Sequence, residues 1–425
     1  MSLPDPDLTP SLPDVGIEKP GPRLVLVLGL LAGIGQAYTL PMLSPEQVTL
    51  ATDVYHHAAE AFLSGEDPYA VTPPNLPGYY FVYPPVVLGL LLPYGLLSPG
   101  LAYAVQTALN VLATAGTAVV LVRTIERGGV DLDRVDRLLI GAFAFGSLGA
   151  VTNLLNGQVN PLLAFGIAAG VLALERDRET LSGVVLAAVA TVKLFPALVG
   201  AWLLRVRAWR TIAAAIATGV GLFLLGVLAF GPDLTAAYVT EALARESSIA
   251  TFEGGPDPGI NKMTIRRQIA YLAPWVPGDL LFPVGAALLA PVVLASYRTV
   301  ETLRDRLVAL QATLLATLIL LPLEPFYFSL AVFPSVALLY LVGGRWTRRA
   351  FLAGFLLAAA PLTMSSAEIW IETLSLSPGM ADAITGIARA AFSFALAPMY
   401  GVWLMFGACI ADQHRHAGPS DGVPG

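Results

Sequence analysis

The stretch NLLNGQVNPLL, Asn153 to Leu163, joins two of the most apolar runs of this chain. It carries three asparagines and one glutamine around Gly157. A carboxamide removed from water without a hydrogen-bond partner costs about 2–7 kcal/mol. Asn160 can cap the next helix, with Pro161 suiting its first turn. The stretch therefore reads as a turn between two helices. The flanking runs, 138–154 and 158–174, are close to the roughly 20 apolar residues needed to cross a bilayer core of about 30 Å. The turn is thus expected between two membrane helices, and its amides demand a purpose.

The rest of the chain agrees. It is 425 residues long, 56% hydrophobic and only 13% charged, with mean hydropathy +0.70. Soluble domains carry about 25% charged residues. The expected fold is an all-α polytopic membrane protein. Net charge is -6 and no basic patch interleaves with aromatics, so nucleic-acid binding is set aside. The lone Cys409 lies in an apolar run and reads as packing. Residues 1–22 are Pro-rich and polar, and lack the basic start and cleavage site of a cleaved signal peptide. They are expected to be a disordered tail, as is 412–425, with one membrane domain over 23–411.

Arginines punctuate the apolar runs in short loops: 123–137, 176–178, 205–210, 298–306 and 345–349. The positive-inside rule puts all of these on the cytoplasmic side. Two conflicts follow. The runs 83–97 and 99–122 cannot both cross. The first has 15 residues, about 22 Å as helix, and reads as interfacial or re-entrant. Arg178 and Arg205 must share a side although one apolar run joins them, so that run must turn back at Lys193–Pro196. Each arm is about 12 residues, too short for a membrane, so the tip opens into a cavity at depth. About twelve crossings result, with a cytoplasmic N-terminus and the chemistry on the outer face.

The outward segments hold the candidates. Asp53 lies past the first span on an amphipathic helix over 47–64; it can be a surface general base or an ordinary solvated acid. His56 and His57 follow, but no third metal ligand is near, so no metal is expected. Tyr83 precedes Pro84-Pro85, which fixes an extended start to a helix. Asn156, Gln158 and Asn160 can cap the helices they join or bind sugar hydroxyls. Lys193 is the one lysine inside an apolar run, and an intramembrane cation suits a phosphate, although it could also snorkel. Asn261, Lys262 and Arg266 sit in the long loop 231–279, where basic residues oppose the charge rule. Glu324 and Tyr327 sit at a short turn between spans.

In order, these residues form a pattern: Asp53, then G-x-x-x-Y at 65–69, YPP at 83–85, GQVN at 157–160 and KLFP at 193–196. R-x-R-x-W-R at 205–210, N-x-x-x-x-R at 261–266 and P-x-E-P-x-Y at 322–327 complete it. The pattern resembles glycosyltransferase family 87, polyprenyl-phosphate-mannose-dependent α-mannosyltransferases of the GT-C superfamily, from about Asp53 to Tyr340. VYHH after Asp53, Asn261-Lys262-Met263 and Phe326-Tyr327 depart from the family's usual residues.

The resemblance implies a GT-C fold, a plasma-membrane location and a polyprenyl-phosphate sugar donor; the outward segments show no D-x-D pair, so no metal or cofactor is expected. It implies inversion at the anomeric carbon, with Asp53 deprotonating a lipid or glycan acceptor. Lys193, Arg266 and Lys262 are then expected at the donor phosphate. Asn156, Gln158, Asn160, Asn261, Tyr83, Glu324 and Tyr327 are expected around sugar and acceptor. A lipid or lipid-linked-sugar flippase is the alternative; it calls for repeated halves, which the sequence lacks.

Overall fold

The computed structural model describes residues 20–248, 252, 255–360, 362–374 and 376–416. Most of the expected N-terminal tail lies outside them. Among the described residues the chain is helical, with no strand. The first half comprises α1 (Pro20–Leu43), α2 (Leu50–Leu63), α3 (Pro85–Leu91), α4 (Pro99–Arg127), α5 (Arg134–Gly146), α6 (Leu148–Asn156), α7 (Asn160–Leu174), α8 (Glu179–Val192), α9 (Val199–Arg205) and α10 (Trp209–Phe230). The outer loop holds α11 (Pro232–Ala237), α12 (Leu243–Ser248) and α13 (Ile265–Leu272). Then come α14 (Leu281–Ala295), α15 (Leu303–Leu320), α16 (Val332–Leu341), α17 (Arg345–Ala359), α18 (Met364–Thr373), α19 (Pro378–Phe394) and α20 (Ala397–His416).

Four helical segments are long and apolar enough to cross a membrane, and up to seven if each of three bent pairs is one span. Five shorter apolar segments accompany them. The first bent pair is α5 with α6, angled by 42° at Ser147. The protein is a polytopic membrane protein.

The arginine clusters do gather at one end of the bundle. Arg23 at the start of α1 holds Asp133 (2.5 Å) and the buried Asp136 (2.8 Å) at the start of α5. Arg306 bonds both oxygens of Glu175 at 2.6 and 2.5 Å, joining the start of α15 to the end of α7. Arg205 donates to the Tyr297 and Arg298 carbonyls at 2.6 and 2.8 Å. Arg304 reaches Asp412 on α20 at 3.6 Å. The last helix, α20, runs to His416, with Asp412 and Gln413 buried.

The structure shows how the two segments in conflict are placed against their neighbours. The segment after Tyr83 forms the short helix α3 and a 3-10 turn, Leu92–Leu96. Tyr83 bonds Tyr55 at 2.9 Å, and the Leu97 carbonyl meets His56 Nε2 at 3.0 Å. Both ends are thus tied to neighbouring residues of α2, and the segment lies alongside that helix. The run after Arg178 turns back. The Thr211 hydroxyl donates to the Glu179 carbonyl at 3.1 Å, so the start of α10 lies beside the start of α8. Trp202 Nε1 donates to the Arg306 carbonyl at 2.9 Å, beside Glu175. The chain breaks between α8 and the 3-10 turn Phe195–Leu198, where Lys193 is extended (φ -130°, ψ 125°). α2 forms within the stretch expected as an amphipathic helix and buries eight of its residues in the bundle.

A cysteine-accessibility experiment checks the fold-back. Cys409 is buried, so background is low. In sealed vesicles an impermeant thiol reagent should label Arg178→Cys and Arg210→Cys from one side, and Glu66→Cys from the other. Labelling of the first two from opposite sides would refute the turn at Lys193.

Candidate active site

The α6–α7 turn is the centre of the opposite end. Gly157 closes α6 in left-handed conformation (φ 68°, ψ 30°), which glycine adopts without steric cost. A Cβ there would lie 1.9 Å from the Thr52 hydroxyl, so α2 packs directly on this backbone. Three contacts hold α2 in place. Thr49 N–H donates to the Leu155 carbonyl at 2.8 Å. Thr52 donates to the Gly157 carbonyl at 3.3 Å. Tyr55 donates to Gln158 Oε1 at 3.3 Å.

From α4 a buried relay reaches the same turn. Tyr94 donates to Gln106 at 2.8 Å, Gln106 to Asn110 at 3.1 Å, and Asn110 to the Gln158 carbonyl at 2.8 Å. Oriented with its nitrogen toward them, the Asn156 amide donates to the carbonyls of Thr152 (2.9 Å) and Gln47 (3.1 Å). Burying these groups is tolerable because each has a partner.

On the other side of the turn sits Lys193, 9% exposed. Its ammonium donates to Asn160 Oδ1 at 2.8 Å and to the Tyr327 hydroxyl at 2.9 Å. It lies 4.3 Å from the Tyr327 ring centroid and 5.9 Å from that of Tyr83, within cation–π range. Asn160 is fully buried, and its nitrogen donates to Asn153 Oδ1 at 2.7 Å. Asn153 in turn donates to the Gly149 carbonyl (2.7 Å) and the Ser329 hydroxyl (3.1 Å). This series leaves Asn160 one orientation, oxygen toward the cation. A mostly apolar cleft adjoins the cluster through Asn153 and Phe326, with Phe143 and Val332 among its walls.

Asp53 is half-buried near the start of α2. One oxygen accepts from the Thr49 hydroxyl at 2.7 Å. Thr49 itself has φ 64° and ψ -4°. A left-handed β-branched residue is strained, by about 1–3 kcal/mol.

The structure thus brings Tyr83, Asn160, Lys193 and Tyr327 together, with Gln158 joined through Tyr55. Lys262 and Glu324 pair at 3.0 Å beside them in the chain, and the Met263–Leu323 backbone bridge carries that pairing. Arg266 lies over the Phe282 ring at 5.3 Å, and Asn261 is exposed. Neighbouring Arg267 is buried, and bonds the carbonyls of Phe392 and Ile260. Burial lowers its pKa to about 10, which leaves it charged at neutral pH. Among the described residues no three His, Cys, Asp or Glu side chains converge to hold a metal ion.

Sequence reasoning missed Thr49, Tyr55, Asn110 and Asn153. Gln106 and Asn110 did carry a signal: two carboxamides one helical turn apart within an apolar run.

A polytopic helical protein with polar groups clustered opposite its arginines suits an enzyme working at a membrane face. The comparison with known families is specific: glycosyltransferase family 87 matches over residues 81–325. That is more than half of the chain, which belongs to this family and is a glycosyltransferase. The match includes Tyr83, the 157–160 turn, Lys193, Lys262 and Glu324; it begins after Asp53 and ends before Tyr327. No curated protein matches the chain.

The close approach of Gly157 to α2 yields a stability test. Gly157→Ala should lower stability by at least about 1 kcal/mol, because it combines a clash with a left-handed backbone. Thermal unfolding in detergent would report it as a reduced melting temperature; an unchanged value would contradict the packing.

Proposed function

We propose that this glycosyltransferase is a GT-C-type enzyme of about twelve crossings in the plasma membrane. Its arginine end faces the cytoplasm, by the positive-inside rule, and its site faces outward. It transfers a hexose, mannose by resemblance, from a polyprenyl-phosphate donor to an outward lipid or glycan acceptor with inversion. One observation carries the reading. A buried ammonium, Lys193, is bonded through Asn160 to the same turn on which the Asp53 helix docks. A cation and a carboxylate on opposite flanks of one rigid turn suit a reaction that needs a base and an anionic leaving group.

In this scheme Asp53 takes the acceptor hydroxyl proton as the hydroxyl oxygen attacks the anomeric carbon. The carbon–oxygen bond to phosphate breaks, and its electron pair stays on the phosphate. Negative charge grows there, so a preorganised cation at low dielectric stabilises the transition state. Lys193 is that cation, and Tyr327 beside it can donate its hydroxyl hydrogen to a phosphate oxygen. Lys262, paired with Glu324, and Arg266 extend positive charge along the outer loop toward the same ligand. Gln158 is the half-exposed amide of the turn and contacts the sugar. Asn156 and Asn160, both buried, serve by fixing the turn and the lysine. Tyr83, Glu324 and Asn261 border the acceptor path. The scheme uses no metal.

The test is transfer in lipid vesicles from polyprenyl phosphate bearing labelled mannose. Wild type should transfer label to a membrane lipid extract or release it to water. Asp53→Asn should lose at least about 100-fold, within the range for a general base. Lys193→Gln should lose about 100- to 1,000-fold in kcat, as for loss of a transition-state donor. Label that crosses the bilayer still joined to its lipid, equally in wild type and Asp53→Asn, would refute the enzyme reading and favour a flippase.

A further inference from the structure

We propose that Thr49 is the positioning residue for the Asp53 carboxylate. The proposal rests on Asp53 being the base. The residue before a helix normally has extended backbone, and a threonine there uses its oxygen to accept from a backbone N–H of the first turn. Thr49 does neither. It is left-handed and makes no such capping bond. Its hydroxyl oxygen lies 2.7 Å from Asp53 Oδ2 and 2.6 Å from the Val48 carbonyl. Both neighbours are acceptors, so the single hydroxyl hydrogen can satisfy only one at a time. An ionised Asp53 draws it to Oδ2, since charged acceptors make the stronger bond.

The strained backbone has a cause in the turn. Thr49 N–H is bound to the Leu155 carbonyl at 2.8 Å while its carbonyl accepts from Asp53 N–H at 2.9 Å. The residue is thus tied to the α6–α7 turn and to the carboxylate-bearing helix together. Holding Oδ2 stops rotation of the carboxylate. Oδ1, which has no hydrogen-bond partner among the described residues, is left to receive the acceptor proton. Once Oδ1 is protonated, Oδ2 is a weaker acceptor and the hydroxyl can turn to the Val48 carbonyl. The contact accommodates both states of a base in turnover. Strain kept at such a position is a recurrent feature of functional sites.

The transfer assay with labelled polyprenyl-phosphate mannose separates this role from packing. Thr49→Val keeps shape and removes the hydroxyl; it should lower kcat about tenfold with KM unchanged. Thr49→Ser should keep kcat within about twofold of wild type, because the donor is restored. In an Asp53→Asn background Thr49→Val should cost nothing further, since the two act as one unit. An unchanged kcat in Thr49→Val, or a full loss repeated in the Asp53→Asn background, overturns the proposal.

If Asp53→Asn keeps its activity or the donor is not used, the reading of the base fails by itself. The Thr49–Asp53 coupling is then read without turnover, from modification of Asp53 by a water-soluble carbodiimide, followed by mass spectrometry. Thr49→Val frees Oδ2 from its hydrogen bond, so Asp53 should react about threefold faster or more. Equal rates in wild type and Thr49→Val overturn the proposal.

Discussion

A buried ammonium is tolerable in an apolar bundle only if its surroundings replace water. Lys193 meets that demand with a carboxamide oxygen, a phenol and flanking aromatic rings. Each partner is itself held. Asn160 is oriented by Asn153, Asn153 by the segment after Pro325, and Phe326 stacks on Tyr327 at 4.7 Å. Four stretches far apart in sequence are therefore fixed by one charge: the end of α6, the start of α7, the break after α8 and the turn before α16. Much of the irregular backbone at this end of the bundle gathers here.

The same turn then organises the other half of the site. Its carbonyls are satisfied by Asn110 from α4 and Thr52 from α2. Gly157 lets α2 come close enough for Thr49 to reach Leu155. Tyr55 and Tyr83 close the space between α2 and the segment that follows it, with rings 5.5 Å apart at 72°. Local sequence, packing and the proposed chemistry thus share the same atoms. The amides that appear costly in an apolar chain are those that join its parts.

Much of this architecture is legible in the sequence because charge and length leave few choices. The arginine loops must lie together, which calls for the turn at Lys193. Lys193 and Asn160 stand out because polar residues in apolar runs need a reason. Other features depend on contacts that no local pattern carries. Asn153 finds Ser329 across 176 residues, and nothing near Thr49 announces a left-handed backbone. Arg266 and Arg267 look alike in sequence, yet one packs on Phe282 and the other is buried among carbonyls. Asn261, which the resemblance groups with the site, has an exposed side chain.

The most direct test of the account is where a lipid phosphate binds. The measurement is a cryo-electron-microscopy structure of the protein in a lipid nanodisc with polyprenyl phosphate. The account predicts a phosphate oxygen about 3 Å from Lys193 Nζ, with the Asp53 carboxylate facing the open side of the same cavity. A phosphate held at the arginine end, or one bound while Lys193 stays sealed behind Asn160 and Tyr327, would contradict it.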